Sequence, residues 1–365
     1  MNFDARIHKL AAILQRHDCP AIAMVPGPNF FYLTGVRLGL MERPTILVVT
    51  AAGEVHAAIP ALEKDMWTAR MPQARTVFWQ DADGYADALA RLARQTGLTR
   101  LAVEGGRMRH FEAAALARAF GTAPEDGTDM LLPLRLNKDA SEIAAIEKAV
   151  QISEDALAAT LKQIGAGLTE TEIRSRLLIN MLERGADGAA FDLIVLAGPA
   201  AADCHGVPSS DRRLKRGDTL LFDFGATLNG YSADITRTYF CEEIPQEHRA
   251  FYEAVQEANR LGRHMTSPGV TPHDLDTAVQ QALSDAGFAA DIRHKLGHGL
   301  GLDIHEAPQL MRGNHAPLEA GMVITIEPGL YRPGVLGVRI EDDVLVTEDG
   351  ARSLTQLPRE PQVIG

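Results

Sequence analysis

Cysteine is scarce in this chain. Its 365 residues hold three, Cys19, Cys204 and Cys241, widely spaced and with no C-x-x-C pair. An odd, dispersed set excludes a disulfide framework and a thiolate zinc site, and it fits a reducing cytoplasm. Positive charge is in deficit. Lys plus Arg number 36 against 48 Asp plus Glu, a formal net charge of -12. That balance lacks the electrostatic footprint of a nucleic-acid binder and does not suit an anionic membrane surface. No apolar run approaches the ~18 residues of a membrane span. The segment MNFDARIHKLAAILQRHDC has no apolar stretch long enough for a secretory leader. Tandem repeats and low-complexity tracts are also missing. What remains is ordinary globular material, 46% hydrophobic and 23% charged. At roughly 150 residues per domain it predicts about two domains, with ample apolar surface for a core.

The patterning divides the chain. Ile7, Leu10 and Leu14 recur at helical spacing. Short apolar runs follow (AIAMV, TILVV, AAGEV and RLAVEGG), interleaved with a PGPNFFYLTG loop and helical stretches over 85–95 and 111–120. Strands alternating with helices predict a smaller α/β domain over 1–132. The Gly-, Pro- and Asp-rich segment GTAPEDGTDMLLPLRLNKD marks the boundary, and a second domain is expected over 133–365. Helices are predicted over 141–162, 169–183, 246–264 and 272–286, the first two with N-capping residues. The strand-like segments DLIVLAG, TLLFDFGATLNGYSADITRTYF, MVITIEPGLY and VRIEDDVLVTEDG lie between and after them. The second domain is therefore α+β, with helices grouped around an antiparallel sheet.

Acidic residues inside apolar strands are the unusual feature. Asp223 sits in TLLFDFGA, Glu327 in MVITIEPGLY and Glu341 in VRIEDDVLV. An unpaired buried carboxylate costs several kcal/mol or more, so each needs a partner. One alone is readily explained by a strand-end cap or a salt bridge to Arg237 or Arg339. Three together, joined by Asp234 and His298, are better explained by a pair of divalent cations. Asp223 and Asp234 flank a hairpin-type Asn229-Gly230 turn that brings them together. Arg339 and Glu341 are two apart and share one face of a strand. Around His298, Gly297, Gly299 and Gly301 permit close backbone approach. One histidine with four carboxylates is an oxygen-rich set that favours Mn(II), Co(II) or Zn(II). A Cys204-His205 dyad is excluded if the segment is extended, because neighbouring side chains then diverge. Cys204 reads as a small buried filler, and Asp342 and Asp343 as turn or surface acids, with an approach of one of them to the site as the alternative. His8, His17, His56, His110 and His248 read as surface or ordinary packing.

The order DFG-x8-D, H-G-x-G-x-x-x-H-E, I-E-P-G and R-I-E-D resembles the creatinase-like "pita-bread" metallopeptidase family, which includes methionine aminopeptidase, aminopeptidase P and Xaa-Pro dipeptidase (prolidase). The resemblance covers about residues 140–360. It extends more weakly to PGPNFFYLTG and ERPTILVVT, which look like the N-terminal domain of the proline-specific branch. It implies a pita-bread catalytic domain, an antiparallel sheet with helices on its outer face. Asp223, Asp234, His298, Glu327 and Glu341 would hold two divalent metals, manganese favoured, with a bridging hydroxide as nucleophile. Glu327 would also shuttle the proton. His205 and His305 would hydrogen-bond substrate or the tetrahedral intermediate. His294 would be a further cleft histidine, with Arg339 and Tyr231 as supports behind the ligands.

The implied activity is hydrolysis of Xaa-Pro bonds in dipeptides or short peptides by a cytoplasmic homodimer. Two alternatives stand beside it: a non-peptidase relative acting on a small amide or osmolyte-like compound, and a catalytically silent binding module. One departure is visible. Many prolidases carry an arginine for the substrate carboxylate shortly after the H-E-x-P segment, where this chain has Gln309. Arg312 is the substitute nearest in sequence. The departure adds weight to peptides longer than two residues.

Overall fold

The computed structural model describes residues 2–365. Its division into two compact units falls between Arg135 and Leu136.

The first unit is built on a six-stranded mixed sheet. Its strands are β1 (Ala21–Met24), β2 (Ile46–Thr50), β3 (Val55–Pro60), β4 (Arg75–Trp79), β5 (Ala102–Val103) and β6 (Glu125–Asp126), in the order β4-β3-β2-β1-β5-β6. β1 pairs antiparallel with β2 and parallel with β5, and all four of its residues are buried. The helix Phe3–Arg16 buries Ile7, Leu10 and Leu14, as their spacing predicts. The PGPNFFYLTG segment is not a loop. It forms the helix Pro28–Thr34, with proline in its first turn and Gly35 closing it at φ 67°. That pairing of an N-terminal proline with a C-terminal glycine is a helix signal carried by the residues themselves.

The second unit opens on the helix Ala140–Leu161. Asp139 caps it by accepting from the Ser141 and Glu142 amides, while the Glu142 carboxylate accepts from the Asp139 amide. The helix Glu170–Glu183 follows, capped by Thr169 and Glu172 in the same reciprocal way. The strands are β7 (Gly188–Ala189), β8 (Ile194–Ala197), β9 (Thr219–Phe224), β10 (Ala226–Leu228), β11 (Tyr231–Ser232), β12 (Ile235–Cys241), β13 (Gly297–Gly299), β14 (Glu306–Leu310), β15 (Val323–Ile326), β16 (Gly329–Arg332), β17 (Leu336–Arg339), β18 (Asp342–Thr347), β19 (Gly350–Ser353) and β20 (Val363–Ile364). One sheet runs β20-β12-β9-β8 and another β14-β13-β15-β18-β19, with β16-β17 as a separate ribbon. Pairing is antiparallel throughout these sheets except between β12 and β20.

Two hydrophobic cores support them. In one, Ile146, Val150, Leu157 and Leu177 of the first two helices pack with Val195, Phe222 and Ile235. In the other, Phe251 and Val255 of the helix Gln246–Met265 and Leu275 and Val279 of the helix Pro272–Leu283 pack with Ile324, Ile326, Val338 and Val344. Each such side chain contributes about 1.5–3 kcal/mol by leaving water. This is the expected α+β architecture; Asp223 and Asp234 lie between its two helix pairs in sequence, and Glu327 and Glu341 follow the second pair.

Candidate metal centre

Asp223 is the penultimate residue of β9 and Asp234 immediately precedes β12. The turn between them contains Asn229 and Gly230, both at positive φ (53° and 86°), as a tight hairpin requires. Gly225 lies where the two strands converge. A Cβ there would stand 1.7 Å from the Ala233 carbonyl oxygen, so only glycine lets the two aspartates approach. His298 is the middle residue of β13, and a Cβ on its neighbour Gly299 would lie 2.1 Å from the Ala307 carbonyl oxygen. Glu327 follows β15. Glu341 lies in the bend between β17 and β18, where its amide donates to the Thr236 carbonyl of β12. Arg339 and Glu341 are therefore not on one continuous strand, yet both reach the same cavity.

The five side chains meet as two overlapping triads. Asp223, Asp234 and Glu341 place ligand atoms within 4.8 Å of one another, and so do His298, Glu327 and Glu341. Glu341 belongs to both. A further grouping joins Asp234 and His298 to His305. His298 Nε2 stands 3.3 Å from Glu327 Oε1 and 3.7 Å from Asp234 Oδ2. Its Nδ1 lies 3.1 Å from the Gly299 carbonyl, which assigns the proton to Nδ1 and turns the Nε2 lone pair toward the acids.

The electrostatics of this cluster demand positive charge. Burial, then Glu341 and Asp223, push Asp234 well above the usual carboxylate range. Burial, then Glu327 and Asp223, do the same to Glu341. Burial raises Glu327 to about 7, against the pull of Arg339. Burial and the neighbouring His305 hold His298 down at about 3, so its ring is neutral and free to ligate. Asp223 Oδ1 is buried and has no hydrogen-bond partner. An orphaned carboxylate oxygen, crowded acids and a neutral imidazole lone pair together fit hard or borderline divalent cations.

The surrounding groups hold the acids in place. Thr236 Oγ1 donates to Glu341 Oε2 at 2.6 Å, and Thr325 Oγ1 to Glu327 Oε1 at 3.2 Å. The Asp234 amide donates to Asp343 Oδ2. Arg339 Nη2 donates to Asp223 Oδ2 at 2.5 Å, Nη1 to the Tyr331 hydroxyl at 2.6 Å and Nε to Thr236 Oγ1 at 3.0 Å. Burial works against its charge, but Tyr331, Asp223 and Glu341 outweigh that and keep the guanidinium protonated.

His205 and His305 are exposed residues that line the same cavity. The His305 ring centroid lies 3.9 Å from that of His298. His294 also lines the cavity, but both its nitrogens are engaged. Nδ1 faces the Lys295 carbonyl at 2.7 Å and Nε2 the Tyr331 hydroxyl at 2.8 Å. Burial and Arg339 lower it to about 4. His294 thus continues the chain Asp223–Arg339–Tyr331.

Several expectations are corrected here. Tyr231 does not join the cluster. It is buried in the core of the first helix pair, and its hydroxyl donates to Glu142 at 2.8 Å. Asp342 and Asp343 are not surface acids, since both are fully buried. β18 alternates faces, so Asp342 meets Arg237, Arg359 and Arg263 while Asp343 holds the Asp234 backbone. Cys204 is not a core filler. Residues 204–205 form a turn rather than an extended segment, so both side chains line the cavity. Burial raises the Cys204 thiol, which keeps it protonated and removes a thiolate role. Arg312 is absent from the cavity wall and lies beside Asp276. Two residues were not anticipated: Tyr331, in the quoted MVITIEPGLY segment, which bonds Arg339 and His294, and Lys295, in the HKLGHG run, which lines the cavity. The whole cavity has a volume of about 350 Å³, with Phe191, Ile194 and Ile304 as its apolar wall.

Comparison with known proteins decides the family. The model of metallopeptidase family M24 matches residues 144–348. The chain belongs to this family. The creatinase/prolidase N-terminal domain matches residues 6–137. Among M24 relatives, the Xaa-Pro dipeptidase of Pyrococcus horikoshii is 31% identical over 97% of this chain and 98% of its own length. Among solved M24 structures, the prolidase from Thermococcus sibiricus superposes with a TM-score of 0.93 at 31% identity, covering 100% of both chains. The X-Pro aminopeptidase from Thermotoga maritima superposes with a TM-score of 0.87 at 30% identity, covering 98% of this chain and 99% of its own. The second unit is thus an M24 pita-bread domain.

Proposed function

We propose that this M24 protein is a dinuclear metallo-exopeptidase that hydrolyses the Xaa-Pro bond of dipeptides or short peptides. The observation that carries the proposal is the pair of ligand triads sharing Glu341 in the wall of a cavity of peptide size. The similarity to an Xaa-Pro dipeptidase, a prolidase and an X-Pro aminopeptidase over nearly the whole chain supports the substrate class.

Asp223, Asp234, His298, Glu327 and Glu341 would hold the two metals, with Asp234 and Glu341 between Asp223 on one side and His298 and Glu327 on the other. The oxygen-rich donor set favours manganese, with cobalt or zinc as substitutes. The chemistry supplied by the bound metals is Lewis acidity toward the scissile carbonyl and the attacking water. Glu327, oriented by Thr325, takes the proton of that water and returns it to the departing proline nitrogen. That nitrogen carries no hydrogen in the peptide, so it leaves as an amine only once protonated. His205 and His305, at the exposed side of the cavity, donate hydrogen bonds to the carbonyl oxygen as it gains charge. Arg339 keeps Asp223 oriented. The active form in this reading is a cytoplasmic homodimer, and the three free cysteines are compatible with a reducing compartment.

The test is metal reconstitution. The chelated protein is supplied with Mn(II), Co(II) or Zn(II) and assayed on Ala-Pro and Ala-Pro-Ala. Turnover of either, restored by metal, is expected. No turnover of either with any of the three refutes the proposal, and light scattering tests the dimer.

A further inference from the structure

The cavity wall carries two cations, Lys295 and Arg339. Their situations differ. Arg339 is committed to Asp223. Lys295 has no carboxylate partner among the described residues. Its Nζ donates instead to a neutral acceptor, Gln309 Oε1.

The Gln309 amide is itself oriented. Gln309 faces His298 across the β13–β14 ladder, so it is fixed beside a candidate metal ligand. Its Nε2 donates to the Glu306 carbonyl at 3.1 Å, which turns Oε1 toward the lysine. The other end of Lys295 is equally constrained, because its carbonyl meets His294 Nδ1 at 2.7 Å. The carboxylate of Asp276 is engaged elsewhere, by the Leu296 and Arg312 amides. An ammonium has three donor hydrogens. One is used by Gln309, and the others remain for something the protein does not supply. A half-buried cation steered by a neutral amide, in a cavity wall whose other cation, Arg339, is already paired with Asp223, is an anion subsite.

We propose that Lys295, steered by Gln309, receives the free C-terminal carboxylate of a dipeptide substrate and thereby sets the length of peptide the site prefers. This rests on the peptidase reading above. The small cavity suits a ligand of that length. A lysine is a point charge rather than a rigid fork, so it tolerates more than one carboxylate orientation. In this chain Gln309 does not replace a carboxylate-binding arginine directly. It positions a lysine that does the same work from the segment leading into β13.

The experiment uses the metal-loaded full chain. Binding of L-proline and of L-prolinamide, which differ in the carboxylate, is measured by calorimetry for wild type, Lys295→Met, Lys295→Arg and Gln309→Glu. Hydrolysis of Ala-Pro and Ala-Pro-amide is measured in parallel, with metal content and circular dichroism as folding controls. Wild type is expected to prefer proline over prolinamide by roughly ten- to a hundred-fold, the scale of a hydrogen bond to a charged group. Lys295→Met should bring that ratio near one. Gln309→Glu should do the same with the lysine retained, by neutralising it internally. Lys295→Arg should keep most of the preference. An equal affinity of wild type for both ligands, or an undiminished preference in Lys295→Met, overturns the assignment. A wild type that prefers proline but hydrolyses neither Ala-Pro nor Ala-Pro-Ala refutes the peptidase reading and leaves Lys295 as a carboxylate-binding group.

Discussion

Replacing Arg339 with methionine tests whether the acid cluster is held together by charge. In the metal-free protein Arg339 is the cation in direct contact with Asp223, at 2.5 Å, and it also bonds Tyr331 and Thr236. Its side chain is buried, 4% exposed, and that of Asp223 nearly so at 13%. Methionine keeps the approximate length and removes every donor. Breaking one side of a buried ion pair costs about 3–5 kcal/mol, because the remaining charge stays out of water. For a folding unit of some 200 residues, 1 kcal/mol corresponds to roughly 2–4 °C, so the melting temperature should fall by about 6–20 °C. The loss should be largest after chelation and smaller once divalent metal is bound, because dications then compensate Asp223. Arg339→Lys should recover only part, since an ammonium cannot span Asp223, Tyr331 and Thr236 together. Urea and thermal unfolding of the variants, each with and without metal, read these differences. A loss under about 1 kcal/mol in chelated protein, or an equal loss in both states, refutes the reasoning.

Glu327→Gln should reduce Xaa-Pro turnover by several orders of magnitude while leaving circular dichroism unchanged; retained turnover would remove the proton-shuttle role. Metal affinity should rise with pH. Asp234, Glu341 and Glu327 are all pushed upward when no metal is bound, so protons occupy the empty site near neutrality and must leave as metal enters. With Glu327 at about 7, binding should strengthen from pH 6 to pH 8, and calorimetry in buffers of different ionisation enthalpy should show net proton release. No buffer dependence at pH 7 contradicts this. Gly225→Ala places a methyl against the Ala233 carbonyl, so the hairpin must open. A stability loss of about 1–3 kcal/mol or more is expected, with reduced metal loading measured by elemental analysis.

The residues by themselves determined much of this protein. Helices such as Ala140–Leu161 were legible because capping and apolar spacing are local properties. Asp223, Glu327 and Glu341 were legible because charges inside apolar runs conflict with burial, and Asn229-Gly230 announces a hairpin through backbone conformation alone, which brings Asp234 to Asp223. The helix Pro28–Thr34 was also within reach, but its capping proline and glycine read equally as loop punctuation. Other features required the tertiary structure. Asp342 and Asp343 differ from surface acids only through what packs on the two faces of β18. Tyr231 lies between the two aspartates in sequence, yet it is buried in a core and its hydroxyl donates to Glu142. Lys295 and Gln309 are fourteen residues apart and meet because β13 pairs with β14. Local signals are written in spacing and composition. Which charges face each other is decided by strand register and packing, and those depend on the whole chain.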